Sequence, residues 1–172
     1  DHIDDILNID LLKPRVFSRP KQLTNEEVMR GVRDQDRLKF QKYCALNDEY
    51  SSPLSTGEDP ADAANSGGVT IATFMATGCP HDNFNNHSMI AVVEYSDTKV
   101  VIPGDNEKCS FEELMRSQSF RTAVQNADVL LAPHHGRESG YYTDFVSLVN
   151  PRITIVSDGR FCDTSANDRY SR

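Results

Sequence analysis

Residues 128–159, DVLLAPHHGRESGYYTDFVSLVNPRITIVSDG, contain the pattern that decides the fold. A short apolar run, DVLLAP at 128–133, is followed by a polar loop and then by TDFVSLVN at 143–150, which has helical spacing and stops before Pro151. A second apolar run, RITIVSDG at 152–159, follows at once. Strand, helix and strand in this order predict a layered α/β fold in which both strands are buried.

The residues before this stretch continue the alternation of strands and helices. The runs VTIATFMAT at 69–77 and SMIAVVEY at 88–95 predict two strands, the first of them buried, and TKVVIP at 98–103 forms a hairpin with the second. Ser110 with Glu113 three residues later is a capping-box pattern, which predicts that a helix opens at this serine. The sequence therefore predicts an α/β arrangement for the whole second part of the chain.

The first third of the chain is predicted to be mostly helical. Residues 1–12 space their apolar side chains in a way that partly fits an amphipathic helix. Thr24 with Glu27 is a capping-box pattern, which predicts that a helix over 25–43 begins here. Gly31 and Asp34 lower the helix propensity in the middle of this range, which favours two shorter helices. Residues 47–68, NDEYSSPLSTGEDPADAANSGG, are turn formers almost throughout, so they predict a long flexible loop.

Length and charge narrow the class of protein. The 172 residues suit one domain, 1–172, and no apolar run approaches the roughly 18 residues of a membrane-spanning helix, so we expect no membrane segment in this chain. The net charge of −8 argues against broad electrostatic capture of nucleic acid. It is still compatible with a nuclease, because bound divalent cations supply positive charge locally.

The spacing of the cysteines gives a weak indication of the redox environment of the protein. They are widely spaced and form no CxxC pair, which argues against a zinc knuckle and against a dense disulfide framework. Reduced thiols in a cytoplasmic protein are the favoured interpretation, and a single long-range disulfide is the alternative left open. The four residues are Cys44, Cys79, Cys109 and Cys162.

The chemistry that the sequence favours is a divalent-metal site at the ends of strands. Asp105 follows an apolar run in VVIPGDNE, and the adjacent pair His134 and His135 follows DVLLAP. Neutral imidazole and carboxylate are ligands that zinc and manganese share. Two adjacent imidazoles after a buried strand have little structural purpose, so this pair gives the strongest signal. A turn residue at Asp105 and a surface histidine at His81 are the alternatives to ligands at those positions.

Four short segments, taken in order, resemble the metallo-β-lactamase fold. They are Asp1-His2-Ile3, NNHS at 85–88, PGDNE at 103–107 and DVLLAPHHG at 128–136. Within that superfamily they are most similar to the competence-protein branch, whose hydrolase domains show DHI, N-x-S, TGD-x-E and HHG in the same order. The resemblance covers about 1–7 and 68–159. It implies the C-terminal portion of an αββα sandwich with a helical insertion near residues 8–67.

The resemblance also implies two divalent metal ions, zinc or manganese, with a ligand from each segment. Asp1 and His2 would bind the second ion, Asp105 would bridge the two ions, and one histidine of the HHG pair would complete the second site. His135 is favoured because the superfamily commonly places its ligand directly before glycine, and His134 stays open.

Further residues complete the site that the resemblance implies. His87 is the candidate for the remaining ligand of the first ion, and His81 is held in reserve. Metal-bound imidazoles usually need an acceptor for their second ring nitrogen. The carboxylates that could provide it are Asp82, Glu107 and Asp128.

The same resemblance favours hydrolysis of phosphodiesters. In such a site, water bound to the metals loses a proton near neutral pH and attacks phosphorus or a carbonyl carbon. Asp1 would pass a proton to the leaving group, and Arg137 and Ser139 beyond HHG would hold a phosphate. The alternative for these two residues is an exposed loop arginine and a helix-capping serine. We therefore expect a phosphodiesterase or nuclease that acts on a phosphodiester or nucleotide substrate. The alternatives are a lactone, thioester or amide hydrolase and a catalytically inactive binding module.

The sequence also departs from the superfamily pattern. The first metal motif there is His-x-His-x-Asp-His, and this chain begins at its Asp-His. Asp4 and Asp5 stand where many relatives have two glycines. We therefore expect the chain to be the C-terminal portion of a larger enzyme, with a missing N-terminal segment of the same protein that carries the earlier histidines.

Overall fold

A computed structural model describes residues 3–158 and 163–171. It divides the chain into two compact units, Asp1–Ser55 and Thr56–Arg172, and each is treated by itself below. The predictions for Asp1, His2 and Cys162 lie outside the described residues. The assignment of residues 1–172 to a single domain stays a prediction.

The regular secondary structure in the described residues of the first unit is helical, with irregular segments between the helices. Its helices are α1 (Ile6–Leu12), α2 (Asn25–Met29) and α3 (Arg37–Glu49). The predicted capping box at the start of α2 is confirmed, since the Thr24 side chain accepts from the Glu27 backbone and the Glu27 carboxylate accepts from the Thr24 N–H. The predicted 25–43 helix is divided in two, and Gly31, with φ of +73°, lies in the break between α2 and α3.

The second unit is an α/β layer structure built on a five-stranded mixed sheet, which confirms the predicted class. The strand order is β1-β2-β3-β4-β5; β2 pairs antiparallel with β1 and β3, whereas β3, β4 and β5 pair in parallel. The strands are β1 (Thr70–Phe74), β2 (Ile90–Tyr95), β3 (Thr98–Ile102), β4 (Val129–Leu131) and β5 (Ile153–Ile155). The helices are α4 (Lys108–Leu114), α5 (Gln118–Val124), α6 (Thr143–Val149) and α7 (Asn167–Tyr170).

The predicted loop at 47–68 is only partly a loop. Its first three residues belong to α3, and two short 3-10 turns, Thr56–Glu58 and Ala63–Asn65, lie in the remainder. Asp62 caps the second turn by accepting from the Ala64 N–H. Flexibility of this segment stays a prediction.

The core of the second unit lies between one face of the sheet and helices α4, α5 and α6. Phe111 of α4 stacks on Phe145 of α6 with ring centroids 4.3 Å apart, and Phe120 of α5 meets Phe74 of β1 edge to face at 5.3 Å. The sheet side chains that are buried against these helices are Ile90, Val92, Val101 and Leu130.

The two predicted buried strands at 69–77 and 152–159 are edge strands, so those predictions of burial are wrong. Thr70, Ala72 and Thr73 of β1 are exposed, and so are Ile153 and Ile155 of β5. An apolar run shows that a strand forms, but its place in the sheet decides how many of its side chains are covered. In β4, Leu130 alone is fully buried, whereas Val129 and Leu131 are half-buried.

The start of α4 also differs from the prediction, because Ser110 does not cap the helix. The cap residue is Glu107, and the Asn86 side chain accepts from the backbone N–H groups of Glu107 and Ser110. Glu113 accepts instead from the N–H groups of the loop residues Thr77 and Gly78. A side chain from a distant segment therefore satisfies the donors that a local capping box would have satisfied.

A disulfide joins Cys79, in the loop between β1 and β2, to Cys109 in α4. The favoured prediction of reduced thiols is wrong for this pair, and the alternative of one long-range disulfide is confirmed. Disulfides are rare in cytosolic proteins, so the expectation of a cytoplasmic location loses the support it drew from reduced thiols. Cys44 is a free, half-buried thiol whose pKa is raised, mainly by burial.

We expect loss of this disulfide to lower the free energy of unfolding by about 3–4 kcal/mol, because the bond closes a loop with a sequence separation of 30 residues. Urea unfolding of the oxidised protein, the reduced protein and the Cys79→Ala/Cys109→Ala double variant measures the effect. Cys44→Ala is the control and is expected to unfold close to the oxidised wild type. Equal midpoints for oxidised and reduced protein would contradict the prediction.

The longest helix in residues 3–158 and 163–171 is α3, with 13 residues. No helix in that part of the chain is long and apolar enough to cross a bilayer, which needs about 20 apolar residues.

Candidate functional site

The candidate site lies at the edge of the sheet where β3, β4 and β5 end. These strands run parallel, so the loops that follow them meet at one edge, which is where open α/β sheets commonly bind ligands. The loop after β3 carries Asp105, the loop after β4 carries His134 and His135, and Ser157 follows β5. The His134 N–H donates to the Gly104 carbonyl at 3.0 Å, which ties the first two loops together.

Asp105 and His135 face each other across these two loops. The Asp105 Oδ1 and His135 Nε2 atoms are 3.7 Å apart, and both side chains are mostly buried. That distance is too long for a hydrogen bond, but two ligands that each lie about 2.1 Å from one zinc ion can be separated by it. Ser157 Oγ lies 3.3 Å from His135 Nδ1 on the other side of the ring. An imidazole nitrogen and a carboxylate oxygen in this arrangement could hold one divalent ion.

His134 belongs to a different set of contacts. Its Nδ1 atom lies 2.8 Å from Ser139 Oγ and 3.1 Å from Glu107 Oε1. The Glu107 carboxylate also accepts from the side-chain amides of Asn83 at 2.8 Å and Asn85 at 3.1 Å. Burial raises the pKa of Glu107, but the hydrogen bonds from Asn85, Asn83 and Ser139 outweigh it and leave the pKa below its usual value. Glu107 is therefore ionised at neutral pH.

The asparagines that reach Glu107 come from the loop before β2, and neither is among the predicted site residues. Asn83 and Asn85 hold the carboxylate, and the buried Asn86 between Asn85 and His87 caps α4. The signal that could have found them is three asparagines within NFNNH, just before a strand. Short amides in such a loop serve as donors to a neighbouring segment.

The two remaining described histidines pair with each other in that loop. The rings of His81 and His87 meet edge to face with centroids 5.1 Å apart, and His87 is buried whereas His81 is exposed. His87 Nε2 lies 3.1 Å from the Pro80 carbonyl oxygen. Their roles as ligand and reserve stay predictions.

The backbone of the HHG turn is held in a conformation that costs energy. His134 has φ of +46° and His135 has φ of +61°, both in the left-handed region that non-glycine residues rarely adopt. A Cβ on the next residue, Gly136, would lie 2.5 Å from Val156 Cγ1, so only glycine lets Val156, just after β5, approach the turn. Strain of about 1–3 kcal/mol per residue persists where the surroundings impose it and clusters at functional sites.

The residues predicted to hold a phosphate have other partners in the structure. Ser139 Oγ lies 2.8 Å from His134 Nδ1, as described above. Arg137 Nε lies 4.0 Å from Asp158 Oδ1, and the Arg137 side chain is 40% exposed. Substrate binding by Arg137 and Ser139 therefore stays a prediction that requires these contacts to rearrange or to be shared.

Asp128 lies too far from the HHG pair to accept a hydrogen bond from a metal-bound histidine there, so that prediction is wrong. It lies at the start of β4, the opposite end from His134, where it accepts from the Lys99 N–H and pairs with Arg152. These contacts lower the pKa of its carboxyl group. Glu107 is another of the three carboxylates predicted as acceptors, and it does contact the imidazole of His134.

A larger metal-binding group is not assembled within the described residues. No set of three or more His, Cys, Asp or Glu side chains in residues 3–158 and 163–171 is arranged to hold a metal ion. The predicted ligands Asp1 and His2 lie outside those residues. Within the described part, the structure brings together Asp105 with His135, and Glu107 with His134.

Comparison with known proteins gives two distant similarities, and no protein-family model matches the chain. The chain is 30% identical over 77 residues to Recombination protein 2 of Haemophilus influenzae, a match that covers 45% of this chain and 9% of that protein. It is 26% identical over 116 residues to the uncharacterized protein YcaI of Escherichia coli K12, which covers 67% of this chain and 14% of that protein. The chain therefore spans about a tenth of the length of the curated relatives it matches.

Proposed function

We propose that the protein is a metallo-β-lactamase-fold hydrolase that cleaves phosphodiesters with a metal-activated water. The observation that carries the proposal is the approach of Asp105 and His135 to 3.7 Å, from loops that follow neighbouring parallel strands. The HHG turn supports it, because strained non-glycine residues such as His134 and His135 cluster at functional sites. The proposed family rests on the four sequence segments that resemble it and on their order in the chain.

The outer face of the sheet supports an αββα sandwich. The register of the strands puts a continuous apolar set on the face opposite α4, α5 and α6, and three of its members, Tyr95, Ile153 and Ile155, are at least half exposed. An apolar sheet face of this kind is normally covered by another layer. We propose that a second β-sheet of the same protein covers it. The set consists of Val93, Tyr95, Val100, Val129, Leu131, Ile153 and Ile155.

In this proposal, Asp105 and His135 would bind a zinc or manganese ion. The resemblance supplies Asp1, His2 and His87 as the candidates for the further ligands of two ions. A divalent ion supplies a hydroxide at neutral pH and stabilises negative charge that develops on a phosphoryl oxygen. Ser157 holds the His135 ring in its orientation through Nδ1. Arg137, beside the HHG turn, would bind a phosphate oxygen in place of its 4.0 Å contact to Asp158.

A phosphodiester is the preferred substrate class for two reasons. The resemblance is to the competence-protein branch, and one relative is named a recombination protein, which favours a nucleic acid as the source of the phosphodiester. The net charge of −8 fits a substrate that is captured through bound cations better than one captured by a basic surface.

The proposal is tested by hydrolysis assays and metal analysis of the full-length protein. We expect release of nitrophenol from bis(p-nitrophenyl) phosphate that is lost after chelation and restored by zinc or manganese, with bound metal of about two ions per chain. Turnover of p-nitrophenyl acetate without turnover of the phosphodiester would favour the carbonyl hydrolase. Absence of bound metal and of both activities would favour the inactive binding module.

A further inference from the structure

Residues 163–171, here called the clamp segment, pair with the loop that follows the HHG turn. Arg137 of the loop and Ser165 of the clamp segment form an antiparallel bridge, and a backbone hydrogen bond of 2.8 Å lies on each side of it. These bonds run from the Ala166 N–H to the Gly136 carbonyl and from the Glu138 N–H to the Thr164 carbonyl. The clamp segment therefore attaches to the main chain of the HHG turn itself, through Gly136.

Side chains of helix α7, within the clamp segment, contact the same loop. The guanidinium carbon of Arg169 lies 3.8 Å from the centroid of the Tyr141 ring, and Arg169 Nη1 lies 2.6 Å from Glu138 Oε2. The Tyr170 ring meets the Tyr141 ring edge to face, with centroids 5.0 Å apart. A cation over an aromatic ring and an exposed ion pair are both attractive. Arg169 makes both contacts, so this one side chain joins two positions of the loop to α7.

The turn to which the clamp segment is attached has an unfavourable backbone conformation. His134, His135 and Gly136 have successive φ angles of +46°, +61° and +91°. The two histidines do not adopt such angles readily, so contacts from neighbouring segments must hold the turn in place. The His134 N–H donates to the Gly104 carbonyl, in the loop that carries Asp105. The bond from the clamp segment to the Gly136 carbonyl attaches the turn on its other side.

We propose that the clamp segment holds the HHG turn in the conformation that brings His135 opposite Asp105, and that Arg169 is a positioning residue for the metal site. Arg169 contacts neither His135 nor Asp105; it acts through Glu138 and Tyr141, in the loop directly after the turn. The inference rests on the proposed function for the use of His135 as a ligand. The attachment of the turn to the clamp segment needs no bound ion, so it can be tested separately.

The first test is amide hydrogen exchange in the metal-free full-length protein. The amides of Glu138 and Ala166 donate the two hydrogen bonds to and from the clamp segment, so their exchange reports its detachment. In Arg169→Gln both should exchange about 3–10-fold faster, because loss of an exposed ion pair and of a cation–π contact each changes an equilibrium severalfold. Arg169→Lys should recover much of the protection, since an ammonium group can make both contacts. Unchanged exchange in Arg169→Gln would overturn the inference.

Arg152→Gln is the matched control for this experiment. Arg152 also forms an exposed ion pair, with its Nη1 3.1 Å from Asp128 Oδ1, but that pair lies at the start of β4, the end opposite the HHG turn. Exchange of the Glu138 and Ala166 amides should stay at the wild-type rate in this variant. An equal acceleration in Arg152→Gln and Arg169→Gln would show a general loss of stability and would overturn the inference.

The second test is the zinc affinity of the same full-length variants, measured by titration of the metal-free protein. We expect Arg169→Gln to raise the Kd for zinc by about 3–10-fold, with Arg169→Lys closer to the wild type and Arg152→Gln unchanged. A wild-type Kd in Arg169→Gln despite faster exchange would overturn the positioning role. If the wild type itself binds no zinc, the proposed function fails, and the exchange experiment alone decides whether the clamp segment holds the turn.

Discussion

Asp105→Ala is expected to remove metal binding and to lower phosphodiester hydrolysis by more than about 100-fold. Loss of a residue that only supports a ligand already costs about 10–100-fold, and Asp105 is proposed to bridge two ions. The fold should be spared, because Asp105 lies in the loop after β3 and outside the buried apolar core. Metal per chain and kcat/KM are measured on the folded variant, with circular dichroism and thermal unfolding to check its structure.

Three further variants test whether the loss of metal binding and activity is specific to the proposed metal site. His135→Ala should resemble Asp105→Ala, because its Nε2 lies 3.7 Å from the Asp105 carboxylate. His81→Ala should be much milder, because His81 is exposed in the loop before β2. Asp97→Ala, in the exposed turn between β2 and β3, should leave metal content and rate unchanged. Full activity and full metal occupancy in Asp105→Ala, or a larger loss in His81→Ala than in His135→Ala, would contradict the assignment.

Local features of this chain could be predicted from the sequence because their causes are local. The capping box of Thr24 and Glu27 needs only residues three apart, and the β2–β3 hairpin needs only two alternating runs and a turn. The helix over Thr143–Val149 ends before Pro151 for the same kind of reason. The approach of Asp105 to His135 was expected from the family resemblance, and the structure brings them together because the loops after the parallel strands β3 and β4 meet at one edge of the sheet.

The features that could not be predicted depend on residues far apart in the chain. Ser110 and Glu113 have the spacing of a capping box, but Asn86 occupies the cap and Glu113 binds Thr77 and Gly78. No spacing rule shows that Asn86 will lie there. The Cys79–Cys109 disulfide could not be predicted for the same reason, because it requires the loop before β2 to lie against α4. The burial of β1 and β5 was overestimated because an apolar run does not reveal whether its strand is central or at an edge.

Leu130→Asp is expected to have the largest effect on stability, with a loss of about 4 kcal/mol or more. Leu130 is fully buried, and its strand β4 lies between β3 and β5 with the aromatic core of α4, α5 and α6 over it. An aspartate there would place an unpaired carboxylate among apolar side chains, where its charge is strongly disfavoured. Total stability of a domain is only about 5–15 kcal/mol, so much of the protein should be unfolded. Urea unfolding followed by circular dichroism measures the loss.

Val129→Asp is the matched control, because the two positions are neighbours on one short strand and receive the same new side chain. Val129 is half-buried on the outer face of the sheet, so in the 172-residue chain by itself its aspartate can remain partly hydrated, and in that chain we expect a loss of at most about half that of Leu130→Asp. Wild-type unfolding of Leu130→Asp would show that the inner face is not the core. An equal loss in both variants would show instead that the outer face is buried too, which is the state that the proposed second sheet would produce in the full-length protein.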